Sequence, residues 1–174
     1  YWVYGAMTGA GVAMTFAGAL LASNANKNIR ALNSNGLDAN DFANKVHEQV
    51  TSRQFAFATL GTGLGVALSG GAGWAATFDR ERQNIWLYSE IRAGAVALTM
   101  GTLLYLDANA AIASLNEVAQ QGMPGGVSGY WEESANAYRR APYGALLMGS
   151  GTALLTGAVS KLVWQYFGRR SPVT

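Results

Sequence analysis

Four long blocks of apolar, almost uncharged residues are the feature of this sequence that most constrains its fold. The blocks run from about Tyr4 to Ala22, Phe55 to Phe78, Ala93 to Leu115 and Pro142 to Phe167. A helix needs about 20 mainly apolar residues to cross the hydrocarbon core of a bilayer, and each block meets this length. The sequence therefore predicts four transmembrane helices within a single domain that covers residues 1–174.

The overall composition agrees with a membrane class. Half of the residues are hydrophobic and 13% are charged, about half the share usual in soluble proteins. The blocks are continuous rather than alternating and are rich in Ala, Leu, Met and Gly, which argues against membrane β-strands. We therefore predict an all-α, polytopic bundle with both termini on one side. Lys and Arg are balanced between the two sides, so the positive-inside rule gives no orientation.

Most tryptophans and tyrosines lie near the ends of the predicted spans. Amphipathic rings settle at the level of the lipid headgroups, so we interpret these residues as aromatic belts and assign them no binding role. The residues concerned are Trp2, Tyr4, Trp74, Trp86, Tyr88, Tyr130, Trp131, Tyr138, Tyr143, Trp164 and Tyr166.

Small residues recur every four positions along one face of each predicted helix. Close backbone contact supplies the attraction between helices in lipid, so these stripes predict tight helix packing. The stripes are Gly5, Gly9, Ala13 and Ala17; Gly61, Gly65, Ser69 and Gly73; Ala93, Ala97 and Gly101; and Ala145, Gly149, Ala153 and Gly157. The alternative is that such glycines line a narrow pore or a proteolipid rotor.

The first and third loops are long enough to hold short extramembrane helices. In loop one, Asp38 or Asn40 is placed to cap a helix. Four apolar side chains of that helix share one face: Phe42, Ala43, Val46 and Val50. In loop three, a glycine-rich turn at residues 122–126 precedes a polar helix over residues 131–140. These helices are expected to fold over the bundle or to dock on a neighbouring protein.

The side chains that most catalytic and redox sites need are scarce. The chain has no cysteine, and His47 is its single histidine, which excludes thiolate chemistry and a bis-histidine haem held by this chain alone. The glycine runs lie inside apolar helices and do not match a nucleotide-binding loop. A net charge of +2, divided between two faces, argues against nucleic-acid binding. We expect no enzyme activity, no metal and no cofactor, although lipids or pigments could fill outer grooves.

Asp107 is the one ionisable residue predicted deep inside a span. It lies about 5 Å from the middle of the third block, and an ionisable group at such depth is a functional-site hypothesis. The alternative is that the helix ends near Asn109 and Asp107 contacts solvent or a neighbouring subunit. The second and third blocks with their Arg82-Gln83-Asn84 link loosely resemble a rotary ATPase proteolipid hairpin. The link lacks the expected proline, so we attribute the likeness to composition.

Two functional hypotheses follow from these observations. The first is a non-catalytic accessory subunit of a larger membrane complex, of a respiratory, photosynthetic or other energy-transducing kind. Its partners would be membrane lipids and other membrane-protein subunits, in the mitochondrial inner membrane or another energy-transducing membrane. The alternative is a small channel or transporter, or an oligomeric proton-handling unit, that uses Asp107 as its conducting carboxylate.

Overall fold

The chain folds into four long helices. The computed structural model describes residues 2–32, 37–78 and 83–168. The helices are α1 (Trp2–Arg30), α2 (Ala39–Phe78), α3 (Gln83–Gln120) and α4 (Gly126–Gly168). Each is long and apolar enough to cross a membrane, which is compatible with an integral multi-pass membrane protein. Each predicted span lies within one helix, and every helix extends beyond its span. The third span is displaced: Ala108 and Ile112, predicted to be within it, belong to a hydrophobic core at one end of the bundle.

The helices pack in the order α1, α2, α4, α3. Among the described residues, α1 comes within backbone contact of α2 alone, whereas α4 packs against both α2 and α3. Helix α2 makes only a small direct contact with α3. Helix α2 is therefore the centre of the bundle, and α1 lies at its edge with most of its surface exposed.

The helices pass through two regions of different composition, which we call the membrane part and the cap. The membrane part has four segments: residues 2–22, 55–78, 83–106 and 141–168. The cap has the remaining described segments: residues 23–32, 37–54 and 107–140. Glu90, Arg92 and Lys161 are the charged residues of the membrane part, whereas charged side chains are frequent on the surface of the cap. The described ends of α1 and α4 lie opposite the cap.

The cap has a hydrophobic core of the kind found in water-soluble helical proteins. Phe42, Val46, Val50, Ile112 and Tyr130 are among its buried members. The Phe42 and Tyr130 rings meet edge to face with their centroids 6.4 Å apart, a favourable arrangement for two aromatic rings. Large side chains therefore hold the cap together.

The helices expected in loops one and three are the first parts of α2 and α4. Asp38 caps α2, because its Oδ1 accepts a hydrogen bond from the Asp41 N–H at 2.8 Å. No glycine or proline interrupts residues 39–60, so the capped helix continues into the membrane part instead of ending at the surface. The predicted helical stretches are present, but as extensions of the spans.

Helix α4 also continues across a proline. Pro142 is fully buried inside α4. It has no N–H to donate to the carbonyl one turn earlier, which belongs to Tyr138. The Arg53 guanidinium of α2 donates to that Tyr138 oxygen at 3.4 Å. A side chain of the central helix thus replaces the missing hydrogen bond, and the helix persists.

Three of the aromatic residues assigned to a belt belong to the cap. Tyr130 and Tyr138 are buried in its core, and Trp131 packs against Phe42 and Tyr138. The Tyr130 hydroxyl hydrogen-bonds Tyr138 and donates to Asn116 Oδ1, the latter at 2.6 Å. Burial raises the pKa of both phenols. The interpretation of Tyr130 and Tyr138 as aromatic-belt residues is wrong, because both are buried in the cap. Trp131 packs on the cap but is exposed, and Trp74, Trp86 and Trp164 are exposed around the far end of the membrane part.

Candidate functional site

The strongest concentration of polar chemistry in the membrane part is an ion pair between α3 and α4. Lys161 Nζ lies 2.7 Å from Glu90 Oε2. The side chains of Glu90 and Lys161 are only 2% and 11% exposed. Arg92, by contrast, is exposed. Because charged groups are costly to bury unless they are paired, this pair is the leading site candidate of the membrane part.

Helix α2 completes the site with Ser69. Lys161 Nζ donates to the Ser69 carbonyl oxygen at 2.6 Å, so the ammonium connects α2, α3 and α4. Among the described residues, neither Ser69 Oγ nor Glu90 Oε1 has a hydrogen-bond partner, although both atoms are buried. A Cβ built on Gly157 would overlap Ser69 Oγ and lie 3.1 Å from Glu90 Oε1. The two unpartnered atoms therefore border the same space beside Gly157.

Ser69 differs from other hydroxyl residues of the membrane part. The hydroxyls of Thr8, Thr15, Thr62 and Thr102 each donate to the carbonyl one turn earlier, at 2.8–2.9 Å. That local bond is the usual way to satisfy a hydroxyl inside a membrane helix. Ser69 does not make it, and its oxygen instead faces Gly157.

Helix α1 covers the site with an aromatic ring. Lys161 Nζ lies 5.9 Å from the centre of the Tyr4 ring, within range of a cation–π interaction. Gly73 leaves room for this ring, since a Cβ at that position would meet the ring carbons at 2.5 Å. A cavity of about 20 Å³ adjoins the pair and is lined in part by Gln83, Trp86 and Gln165. That volume is sufficient for one water molecule.

The turn between α3 and α4 sets the register that brings Glu90 and Lys161 together. Gly122 ends α3 with a φ of 93°, a left-handed conformation that favours glycine. The two helices then run antiparallel, so residues almost equally far from the turn face each other. Sequence reasoning missed the pair because it placed Glu90 outside the third span. The signal was available: one acidic and one basic residue lie at matching distances from a glycine turn.

Most predicted packing residues of α2 and α4 lie between these two helices, whereas Gly73 of α2 faces Tyr4 of α1. A Cβ on Gly61 would overlap the Leu146 carbonyl oxygen, and one on Gly65 would lie 2.5 Å from the Ser150 oxygen and 2.7 Å from Ala153 Cβ. Gly149 lies similarly close to α2, since a built Cβ would overlap the Ala58 carbonyl oxygen and lie 3.0 Å from the Thr62 N. Gly63 and Gly70 of α2 face α1 instead. Helix α2 thus presents glycines to both of its main neighbours.

The structure corrects the predicted face of α1. Gly5, Gly9 and Ala13 are exposed, and a Cβ on either glycine would meet nothing within 4 Å. Gly11 and Gly18 make the contact with α2. Gly5 and Gly9 share one face of α1, and Gly11 and Gly18 share another, so the spacing alone fits a contact at either face. In the structure, Gly11 and Gly18 face α2.

The predicted packing residues of α3 have mixed outcomes. Gly101 is buried, and a Cβ there would lie 2.5 Å from the Met148 N and 2.9 Å from the Gly144 oxygen. Ala97 is half-buried and Ala93 is exposed. Gly94, which was not predicted, is buried against Leu155, with a built Cβ 2.9 Å from Leu155 Cγ. The contact face of α3 is thus one residue away from the predicted one at this end.

Asp107 lies on the surface at the boundary between the two parts. Its Oδ2 accepts a hydrogen bond from Arg140 Nη1 at 2.9 Å, and the two side chains are 64% and 45% exposed. At the same level, Gln54 of α2 donates to Asn109 Oδ1 at 3.1 Å. The helix continues to Gln120, so Asp107 is not at a helix end. The structure therefore places it among polar residues and beside a cation, unlike the isolated intramembrane carboxylate predicted.

The described residues contain no cluster of three or more His, Cys, Asp and Glu side chains that could hold a metal ion. His47 is exposed on the cap portion of α2. The chain matches no protein-family model, and no curated protein or solved structure is detectably similar to it.

Proposed function

We propose that this chain is a non-catalytic accessory subunit of a larger membrane-protein complex. The observation that carries the proposal is the exposed face of α1, where four small residues in helical register lie uncovered: Gly5, Gly9, Ala13 and Ala17. Helix α1 has α2 as its single backbone neighbour among the described residues. A helix of another subunit is therefore expected to pack on this face.

The physical argument compares covered and uncovered glycines. Gly61 and Gly65 weaken helix formation by roughly 1 kcal/mol each relative to alanine, but they permit close contact with α4. Gly5 and Gly9 weaken helix formation by the same amount, but they have no close contact within the chain. A neighbouring helix would provide the compensating van der Waals attraction.

The wider setting of the proposal is an energy-transducing assembly, in the mitochondrial inner membrane or another membrane of that kind. The choice of an energy-transducing assembly rests on the sequence. Its spans carry few charges and the chain has no cysteine, which suits a subunit that packs beside redox or proton-pumping subunits and does not itself hold the redox groups. Membrane lipids and other membrane-protein subunits are the expected partners.

The transport hypothesis based on Asp107 has less support. A conducting carboxylate must change protonation or bind its ion inside the membrane. Asp107 instead pairs with Arg140 at an exposed position next to the cap. The feature that favours proton handling is the buried pair of Glu90 and Lys161.

Two variants of open glycines test the subunit proposal. Gly9→Leu adds a side chain to the exposed face of α1, and Gly71→Leu adds one to α2 where a Cβ would also meet nothing within 4 Å. Both variants should fold with a melting temperature at or above that of the wild type, because leucine favours the helix more than glycine does. The mass of the gently solubilised native particle should fall in Gly9→Leu and remain unchanged in Gly71→Leu. A wild-type chain that runs alone or as a homo-oligomer would refute the proposal.

A further inference from the structure

We propose that Arg53 and Arg139 form a binding site for the phosphate of an anionic phospholipid, at the boundary between the membrane part and the cap. An acyl chain of this lipid would lie along α2, in the groove between α1 and α4. The inference does not depend on the proposed function, because a transporter could use the same lipid. It rests on two cations without a carboxylate partner, an aromatic contact that positions one of them, and an apolar surface that begins beside them.

Two of the three arginines at this boundary lack a counter-charge. Arg140 pairs with Asp107, whereas neither Arg53 nor Arg139 forms an ion pair within the described part of the chain. The acidic residues of α4 that precede Arg139, at positions 132 and 133, are about 10 Å away along the helix. Two positive charges are therefore left uncompensated where the apolar spans begin, which is the level of the lipid headgroups.

The guanidinium of Arg53 is held in place but has most of its donors unused. Its Nη1 donates to the Tyr138 carbonyl oxygen at 3.4 Å, and its Cζ lies 5.6 Å from the centre of the Phe57 ring. A guanidinium has five N–H donors, so this single bond leaves four. Among the described residues, Nε has no partner and is buried, whereas the side chain as a whole is half-exposed. A planar donor group of this kind suits the oxygens of a phosphate.

Helix α4 brings Arg139 to the same place. Arg139 follows Tyr138, whose carbonyl oxygen Arg53 contacts, and it precedes Tyr143 by four residues, so Arg139 and Tyr143 share one face of α4. The Tyr143 ring meets the Phe57 ring edge to face, with the centroids 5.9 Å apart. Both Arg139 and Tyr143 are exposed. A phosphate beside Tyr143 would therefore lie within reach of both long arginine side chains.

An apolar surface for an acyl chain begins at Phe57. Phe57, Leu64 and Leu68 are spaced by seven and four residues, so they share one side of α2. Phe57 is half-buried, and Leu64 and Leu68 are 37% and 60% exposed. Over the residues that the structure describes, α1 and α4 both pack on α2 but make no backbone contact with each other. The surface extends about 16 Å from Phe57 to Leu68, close to half of a hydrocarbon core about 30 Å thick.

An anionic phospholipid is the occupant that uses both halves of the site. Its phosphate would meet the arginines, and its acyl chain would cover the apolar side of α2 through one leaflet. Basic pockets between transmembrane helices bind anionic headgroups in this way. A zwitterionic lipid brings its own cation beside the phosphate, which weakens the attraction to arginine. A soluble phosphate would leave the apolar surface uncovered.

The test uses the full chain in detergent and native mass spectrometry of its lipid complexes. The probes are dioleoyl phosphatidylglycerol and dioleoyl phosphatidylcholine, which have the same acyl chains and differ in headgroup charge. Phosphatidylglycerol should bind more tightly, by about fivefold for each arginine that contacts its phosphate. Equal affinities for the two lipids would overturn the proposal.

Three charge-removing variants locate the site. Arg139→Gln should weaken phosphatidylglycerol binding about fivefold without unfolding the chain, since Arg139 is exposed and has no ion-pair partner among the described residues. Arg53→Gln should weaken it at least as much, with thermal melting as the check on folding because the bond to Tyr138 is lost. Arg92→Gln is the matched control, which removes an equal charge from an exposed position elsewhere on α3. If Arg139→Gln bound phosphatidylglycerol as tightly as Arg92→Gln, the assignment would be refuted whether or not Arg53→Gln folds.

Competition with inorganic phosphate distinguishes a lipid from a soluble anion. Millimolar phosphate should leave phosphatidylglycerol bound, because the free ion makes no contact with the apolar side of α2. Sodium chloride at the same ionic strength is the control for screening of the charges. Displacement by phosphate but not by sodium chloride would overturn the proposal in favour of a site for a soluble anion.

Discussion

The cap and the membrane part are packed with opposite kinds of side chain, although the same helices build both. In the cap, α2 buries Val46 and Val50 and leaves polar residues outside. About three to five turns further along the same helix, Gly61 and Gly65 face α4, while Leu64 and Leu68 are exposed. The difference shows how the surroundings decide which residues hold a helix pair together: water drives large apolar groups inward, whereas lipid leaves close contact of small residues as the attractive interaction.

This difference implies opposite responses to mutation. A larger side chain at a contact should be most harmful in the membrane part, where backbones nearly touch. A smaller side chain should be most harmful in the cap, where it leaves a cavity. The following variants test this comparison, from the largest expected effect to the smallest.

Gly65→Leu should have the largest effect. The added side chain would collide with the Ser150 carbonyl and Ala153, and the helices would have to separate along their length. We expect a destabilisation of at least about 3 kcal/mol, seen as loss of the folded monodisperse species in detergent. Gly149→Leu should behave alike, whereas Gly71→Leu is the matched control at an open position. Wild-type melting of Gly65→Leu would contradict glycine packing.

Glu90→Gln should be the next most damaging change, because it leaves the buried Lys161 ammonium without its counter-charge. Loss of one partner of a buried ion pair typically costs about 3–5 kcal/mol. The double variant Glu90→Gln/Lys161→Met removes both charges and should recover most of the thermal stability. A double variant that melted at a lower temperature than Glu90→Gln would contradict this expectation. It would show that removing the Lys161 charge does not relieve the loss of its counter-charge.

Val46→Ala tests the cap. Val46 is fully buried, so its truncation removes apolar contact and leaves a cavity, for a loss of about 2 kcal/mol in the free energy of unfolding. Leu68→Ala is the matched control, because Leu68 is 60% exposed in the membrane part. Thermal unfolding in one detergent should separate the two variants. Equal melting temperatures would show that the two regions respond alike to truncation.

Asp107→Asn should have the smallest effect. Exposed ion pairs contribute about 0–1 kcal/mol, and Asp107 and Arg140 are both substantially exposed. The melting temperature and the composition of the native particle should therefore remain close to wild type. A proton flux from the purified chain in liposomes that Asp107→Asn abolished would favour the transport hypothesis over the subunit proposal.

Hydropathy alone was sufficient to predict the four helices, but not the faces that they bury. Helix α1 carries Gly5 and Gly9 on one face and Gly11 and Gly18 on another, and only the position of α2 decides between them. The aromatic residues pose the same difficulty. Tyr130 looks like a belt residue by its distance from a span, yet it is fully buried because α2 continues beyond the membrane part to cover it.

The two ion pairs could be predicted from the sequence only by treating α3 and α4 as an antiparallel hairpin. Glu90 and Lys161 are far apart in the chain, and each alone resembles a residue at the edge of a span. Once α3 and α4 are joined by a tight glycine turn, their register aligns Glu90 with Lys161 and Asp107 with Arg140. The burial of the first pair then depends on Ser69 and Tyr4, which come from helices that the hairpin register does not describe.

Helix α2 runs without a break through both regions, so a tilt at one end of the helix displaces its other end. A helix of 40 residues is about 60 Å long, so a tilt of about 5° about one end moves the other end by about 5 Å. Two hydrogen bonds join α2 to α4: Arg53 donates to the Tyr138 carbonyl oxygen, and Lys161 donates to the Ser69 carbonyl oxygen. A force applied to the cap by a neighbouring protein would therefore be transmitted as strain on the charged pair at the opposite membrane surface.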